Sequence, residues 1–163
     1  MKLATHDNGT ADGILVVVSA DGSRITPIEG KGPKPEYAID SSELGGMYTK
    51  KITVISTEDG VGVRRAGHLG ASAGDVRISV DGSILGSGVI QSAGDVVIAA
   101  QNIAQSGSIQ ARGNVRLSSR NKLEVGSGVI VSKGDTTLEA PVMAVSSDAL
   151  LVAGLNDDGV VSG

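Results

Sequence analysis

From Gly74 onward, short bursts of alternating apolar and polar residues return at a nearly fixed interval. The openings Gly74-Asp75-Val76-Arg77-Ile78, Gly94-Asp95-Val96-Val97-Ile98, Gly113-Asn114-Val115-Arg116-Leu117 and Gly134-Asp135-Thr136-Thr137-Leu138 are spaced by 20, 19 and 21 residues. The units also end alike, with Ile90, Ile109, Ile130 and Leu150 each four places before the glycine that follows. A repeat of this period predicts a solenoid. In a strand the side chains alternate between faces, so Val76 and Ile78 point inward while Asp75, Arg77 and Ser79 point outward. Three apolar clusters recur per unit: Val76/Ile78, Ile84 and Val89/Ile90, then Val96/Ile98, Ile103 and Ile109, then Val115/Leu117, Leu123 and Val129/Ile130. The fourth unit has Leu138, Val142 and Leu150/Leu151, with Thr136 where the others place valine. Three short strands per coil of about twenty residues, separated by Gly, Asn, Asp and Ser, predict three faces that stack in parallel register. No single unit buries enough apolar surface to offset its own ordering, so each coil depends on the next.

The repeat begins more loosely at Lys51, with strands over Ile52–Ile55, Val61–Val63 and His68–Ala71. Ahead of it, residues 1–12 are polar and turn-rich and read as a frayed end. Ile14–Val18 reads as a buried strand closed by Asp21-Gly22, and Ser23–Ile28 as an edge-like strand. Residues 29–36, with Pro33 and Pro35, break the periodicity and form a connecting loop that crosses the outside of the solenoid. Tyr37 and Tyr48, the two aromatic residues of the chain, are expected to pack on the solenoid wall. The pattern divides the chain into residues 1–49 and the repeats of residues 50–163. Asn156-Asp157-Asp158-Gly159 has the look of another unit's start, and neither end carries a capping helix. Exposed strand edges are therefore expected at both ends, and the repeat is expected to continue beyond residue 163.

Composition sharpens this reading. Twenty-four glycines, no Phe and no Trp suit a thin core of stacked aliphatic layers rather than a compact core filled by rings. The formal net charge of −4, from 14 basic and 18 acidic residues, argues against a nucleic-acid partner. The absence of cysteine excludes disulfides, thiolate metal sites and a cysteine nucleophile. No apolar run is long enough for a membrane span, and residues 1–20 lack the features of a signal peptide.

Other solenoids fail on their repeats. Neither the leucine-rich ladder nor the tandem Gly-Gly-x-Gly-x-Asp nonapeptide is present, and spacings of 19 to 21 drift off an 18-residue hexapeptide coil. The remaining fold is an all-β, right-handed parallel β-helix. The string Ala38-Ile39-Asp40-Ser41-Ser42-Glu43-Leu44-Gly45-Gly46-Met47-Tyr48, followed by Lys51-Ile52 and then Ser56-Thr57-Glu58-Asp59-Gly60-Val61-Gly62-Val63-Arg64, closely resembles the filamentous haemagglutinin family. That family comprises large exoproteins exported by two-partner secretion in Gram-negative bacteria, among them adhesins, haemolysins and contact-dependent growth inhibition toxins. The units after Gly74 resemble its haemagglutinin repeats, and together the resemblance covers roughly residues 33–154. It implies that Leu44, Gly45, Gly46, Met47, Tyr48, Gly60, Val61, Gly62, Val63 and Arg64 mark the junction between secretion domain and shaft, with residues 1–49 the C-terminal part of a secretion-type domain. It further implies export through an outer-membrane transporter, a secreted or outer-surface location, and contact with host or neighbouring cells through regions outside this stretch. The chain contains no Asn-Pro pair of the kind found in the family's export signal, which implies that this stretch does not direct its own export.

Few residues suggest chemistry. Asp75, Asp95 and Asp135, with Asn114 between, would lie about 4.8 Å apart on successive coils and form a ladder able to hold a cation. The plainer reading makes them turn residues that accept backbone hydrogen bonds. Arg77, Arg112, Arg116 and Arg120 form either a stripe for a sulfated glycan or acidic head groups, or an ordinary solvated face. His6 and His68 are not paired at metal spacing, no nucleophile-elbow motif is present, and the short loops leave nowhere to build a catalytic cleft. No enzyme activity and no cofactor are expected. The reading is a structural and export shaft of a large exoprotein. A cytoplasmic polymer-forming β-helix is the alternative, and a carbohydrate-active β-helix enzyme the third.

Overall fold

The computed structural model describes the backbone of residues 2–6, 14–18, 25–28 and 37–40, and whole residues for 47–56, 60 and 62–154. The described residues form strands and turns without helix. In chain order the strands are β1 (Lys2–His6), β2 (Ile14–Val18), β3 (Ile25–Ile28), β4 (Tyr37–Asp40), β5 (Met47–Thr49), β6 (Ile52–Ser56), β7 (Gly62–Arg65), β8 (Leu69–Ala71) and β9 (Val76–Val80). They continue as β10 (Ser83–Gly86), β11 (Val89–Ser92), β12 (Val96–Gln105), β13 (Ser108–Ala111), β14 (Val115–Val125), β15 (Val129–Ser132), β16 (Thr136–Glu139), β17 (Val142–Val145) and β18 (Leu150–Val152).

From β4 onward every strand pairing is parallel and links one coil to the next, giving a parallel β-helix of about five turns. Three columns of inward aliphatics run through it in register. Ile52, Val76, Val96 and Val115 stack in the first. Val63, Ile84, Ile103 and Leu123 form the second. The third comprises Leu69, Ile90, Ile109 and Ile130. All twelve are buried. Fully burying one such side chain stabilises by about 1.5–3 kcal/mol, so the columns supply the main force that holds coil on coil.

The three expected faces are resolved into two sheets. In the coil opened by Gly74, Asp81-Gly82 separates β9 from β10. In the next two coils the corner residues stay extended, so β12 and β14 each run unbroken through two faces. The first two faces thereby join into a 12-stranded sheet, while β18-β15-β13-β11-β8-β5 form a separate 6-stranded sheet. The variable period originates at the corners, one residue at the corner inside β12 and β14 and a second where Gly126-Ser127-Gly128 replaces Ser106-Gly107 between the second and third faces. Between the core positions of the first two faces, β12 places Gln101 and Asn102 outside, whereas β14 places Arg120, Asn121 and Lys122 outside. The mismatch appears as a register shift between Ala100 and Asn102. A bulge of this kind absorbs an extra residue without moving the inward set.

The leading residues depart from expectation. The stretch read as a frayed end contains β1, which pairs parallel to β6 and antiparallel to β2, and β2 pairs antiparallel to β3. On the first face the edge at this end is occupied, because β1 satisfies the backbone groups that β6 would otherwise present, while β4 and β5 stand at the edges of the described sheets as expected. β3 is the outermost strand, as its edge-like sequence suggested. The loop of residues 29–36 and the side chain of Tyr37 lie outside the described residues. No helix among the described residues is long and apolar enough to cross a membrane.

Candidate functional site

The Gly-Asp corner was the most suggestive chemical feature of the sequence, and its geometry is specific. The Asp95 N–H donates to Asp75 Oδ1 at 3.0 Å, the Asn114 N–H to Asp95 Oδ1 at 2.8 Å, and the Asp135 N–H to Asn114 Oδ1 at 2.8 Å. Each side chain thus caps the backbone of the following coil. The glycine beside it is required for space, since a Cβ at Gly94, Gly113 or Gly134 would fall on the oxygen of Asp75, Asp95 or Asn114 respectively. Asn114 fits because it keeps the acceptor oxygen, and its amide donates back to Asp95 Oδ1 at 3.3 Å. The Asp95 N–H, followed by Arg77 at 3.1 Å, holds the Asp75 carboxyl below its ordinary value of 3.8. Among the described residues no group of three or more His, Asp or Glu side chains converges as a metal site would need.

The four arginines do not form one stripe. Arg77 pairs with Asp75, Arg116 makes two bonds to Glu139 at 2.8 and 2.9 Å, and Arg120 pairs with Asp81 at 2.7 Å. These exposed pairs contribute little to stability, but they neutralise the field that an acidic ligand would seek. Arg112 lies apart, at the rim of a shallow groove on the 6-stranded sheet with Lys50 and Lys133. The groove floor carries Tyr48, Gly70, Gln91 and Gln110 on successive rungs, and no carboxylate among the described residues lines it. Tyr48 is 72% exposed, yet its ring lies flat on the wall, where a Cβ at Gly70 would meet Cδ1 at 2.7 Å. The glycine makes a shelf, and the ring covers backbone that would otherwise be bare.

The residues of the family string are spread over this frame. Met47 packs against the core, Val63 is part of it, and Arg64 is exposed. Gly60 has φ of 75°, in the left-handed region that favours glycine. Leu44, Gly45, Gly46 and Val61 lie outside the described residues.

Two features escaped the sequence reading. The first is a second glycine ladder at Gly67, Gly88, Gly107 and Gly128, where a Cβ at each of the last three would fall on the carbonyl oxygen of the glycine one coil below. The recurrent small-residue-Gly pairs Ala66-Gly67, Ser87-Gly88, Ser106-Gly107 and Ser127-Gly128 were its signal. The second is Arg65, 2% exposed and aimed into the solenoid. Alternation in β7 (Val63 in, Arg64 out, Arg65 in) placed it there.

The model of a family described as "Haemagglutinin repeat" matches residues 71–155, and one described as "Fumarylacetoacetase N-terminal domain 2" matches residues 1–41. Among curated relatives, the 16S rRNA endonuclease CdiA of Enterobacter cloacae subsp. cloacae is 32% identical over 84% of this chain and 5% of its own length. A tRNA nuclease CdiA of Escherichia coli (strain NC101) is 35% identical over 72% of this chain and 4% of its own length, and a Toxin CdiA of Yersinia pestis is 45% identical over 50% and 2%. The chain thus spans 5% or less of these relatives, and the nuclease names describe proteins far longer than the shared stretch. No solved structure matches. Its repeat match covers the coils that carry the Gly-Asp ladder, and the chain belongs to the filamentous haemagglutinin family, as a haemagglutinin-repeat β-helix.

Proposed function

We propose that this chain is a β-helical shaft segment of a large secreted exoprotein acting in contact-dependent growth inhibition or adhesion, with no catalysis of its own. The carrying observation is the unbroken coil-to-coil register from β5 to β18, on which almost every conspicuous side chain is spent in stacking. Such a rod sets a distance rather than performing a reaction. Residues 50–163 form the repeat shaft, and the string from Ala38 to Arg64 leads into it as the end of a secretion-type domain, with the division near residue 49. Residues 1–49 as a whole are read as the C-terminal part of that domain, and residues 1–41 also match a second family model. Export proceeds through an outer-membrane two-partner transporter, and the receptor or target is met by other parts of the exoprotein. The nuclease activity in the names of the relatives belongs, in this proposal, to regions these coils hold away from the cell.

The test is surface detection in the producing cell. Antibody raised against residues 62–154 is expected to label intact cells or recover the protein from the medium, and to lose that signal when the neighbouring transporter gene is deleted. Full recovery from the cytoplasm of intact cells, regardless of the transporter, would overturn the proposal.

A further inference from the structure

Arg65, Gly86 and Gln105 occupy one inward column on three successive coils. Arg65 Nη2 donates to Gln105 Oε1 at 2.9 Å, reaching across the intervening rung. The contact exists because residue 86 has no side chain, and a Cβ there would strike both Gln105 Oε1 and, at 2.6 Å, Arg65 Nη2. The amide orientation is fixed by this bond, since a flipped Gln105 would set donor against donor. Gln105 is 1% exposed. Burial lowers the Arg65 pKa to about 10, which still leaves the guanidinium charged at neutral pH.

Three nitrogens of this pair, Arg65 Nε, Arg65 Nη1 and Gln105 Nε2, are buried without a hydrogen-bond partner among the described residues. All three can only donate. A buried cation with no counter-charge among the described residues, and with three donors left over beside the acceptor Gln105 Oε1, is costly to hold in an apolar interior. Water answers this only in part, because it can accept from these donors and give one hydrogen to the second lone pair of Gln105 Oε1 but cannot cancel the charge. A small spherical anion answers all of it, accepting from several directions and cancelling the charge. We propose that the Arg65–Gly86–Gln105 column is an internal binding site for a small inorganic anion of the halide class, chloride under ordinary conditions, enclosed as the coils stack.

The experiment uses the whole chain. Thermal unfolding is followed in sodium chloride, sodium bromide and sodium gluconate at equal ionic strength, and crystals grown in bromide are measured at the bromine absorption edge. The midpoint is expected to be higher in chloride and bromide than in gluconate, rising by on the order of 3–5 °C per tenfold increase in halide above its dissociation constant. An anomalous bromide peak is expected within hydrogen-bond distance of Arg65 Nε or Nη1 and of Gln105 Nε2. Gln105→Glu supplies a carboxylate to the guanidinium from within the chain, and is expected to fold while losing both the halide dependence and the peak. Equal midpoints in the three salts, or crystals in which that position holds water without bromine signal, would overturn the proposal.

Discussion

Ile130 and Leu151 face each other across adjacent strands of the 6-stranded sheet, in register and both apolar. Ile130 is 0% exposed and Leu151 is 39% exposed. Met143 and Val145 on the same last described coil are likewise exposed, while their counterparts one coil earlier, Leu123 and Val125, are buried. Sequence pattern and backbone conformation are alike in the two coils. The contrast is between a coil with a described neighbour on both sides and one with a described neighbour on a single side, residues 155–163 lying outside the described residues.

The largest expected effect tests that contrast directly. Ile130→Ala should cost about 2–5 kcal/mol, because it opens a cavity between two coils, whereas Leu151→Ala should cost about 1 kcal/mol or less. Urea denaturation of the two variants measures the difference, and equal losses would show that position in the stack does not control burial. A smaller effect separates two glycines of the corners. Gly107→Ala drives a methyl group onto the Gly88 carbonyl and should cost about 1–3 kcal/mol. Gly126→Ala meets only the Ser106 Cβ at 3.3 Å and should fall within about 1 kcal/mol. If calorimetry finds both neutral, the close carbonyl ladder is not a constraint on folding.

The smallest effect concerns pH. The Asp75 carboxyl is depressed in the folded state, so the unfolded chain binds its proton more readily. Its contribution to stability is present above the ordinary value of 3.8 and is lost as pH falls below it through the folded value. Asp75→Asn retains the acceptor for the Asp95 N–H but does not titrate. The thermal midpoint of the variant should therefore fall less steeply than that of the parent on acidification from about pH 5. Parallel curves would mean that Asp75 is not coupled to folding.

Much of this architecture is readable because its periodicity is redundant. Val76, Val96 and Val115 recur with Ile84, Ile103 and Leu123, so several residues in each unit report the same coil. What is hidden depends on contacts between rungs. Nothing in Ala100-Gln101 alone says that the corner stays extended, since Ala100 pairs with Ser119, the Gln101 N–H donates to the Gly82 carbonyl, and Asn102 resumes pairing with Ser83 and Lys122. The Gly-Asp motif was visible, but its function was not, because the hydrogen bond it makes goes to a residue about twenty positions later. Arg65 was hidden by its charge. The alternation of β7 sets it inward in the structure, and only the missing side chain at Gly86 reveals that the interior has room for it.

The corners of β12 and β14 have a further consequence. Because one residue more or fewer outside leaves the inward columns in phase, the rod tolerates sloppy copying of its units: a duplicated or trimmed segment still meshes with those above and below. Length can then drift over generations in whole rungs, about 4.8 Å at a time, while the cross-section stays constant. Under the proposed role as a shaft, that slack lets reach be adjusted without redesigning the rod.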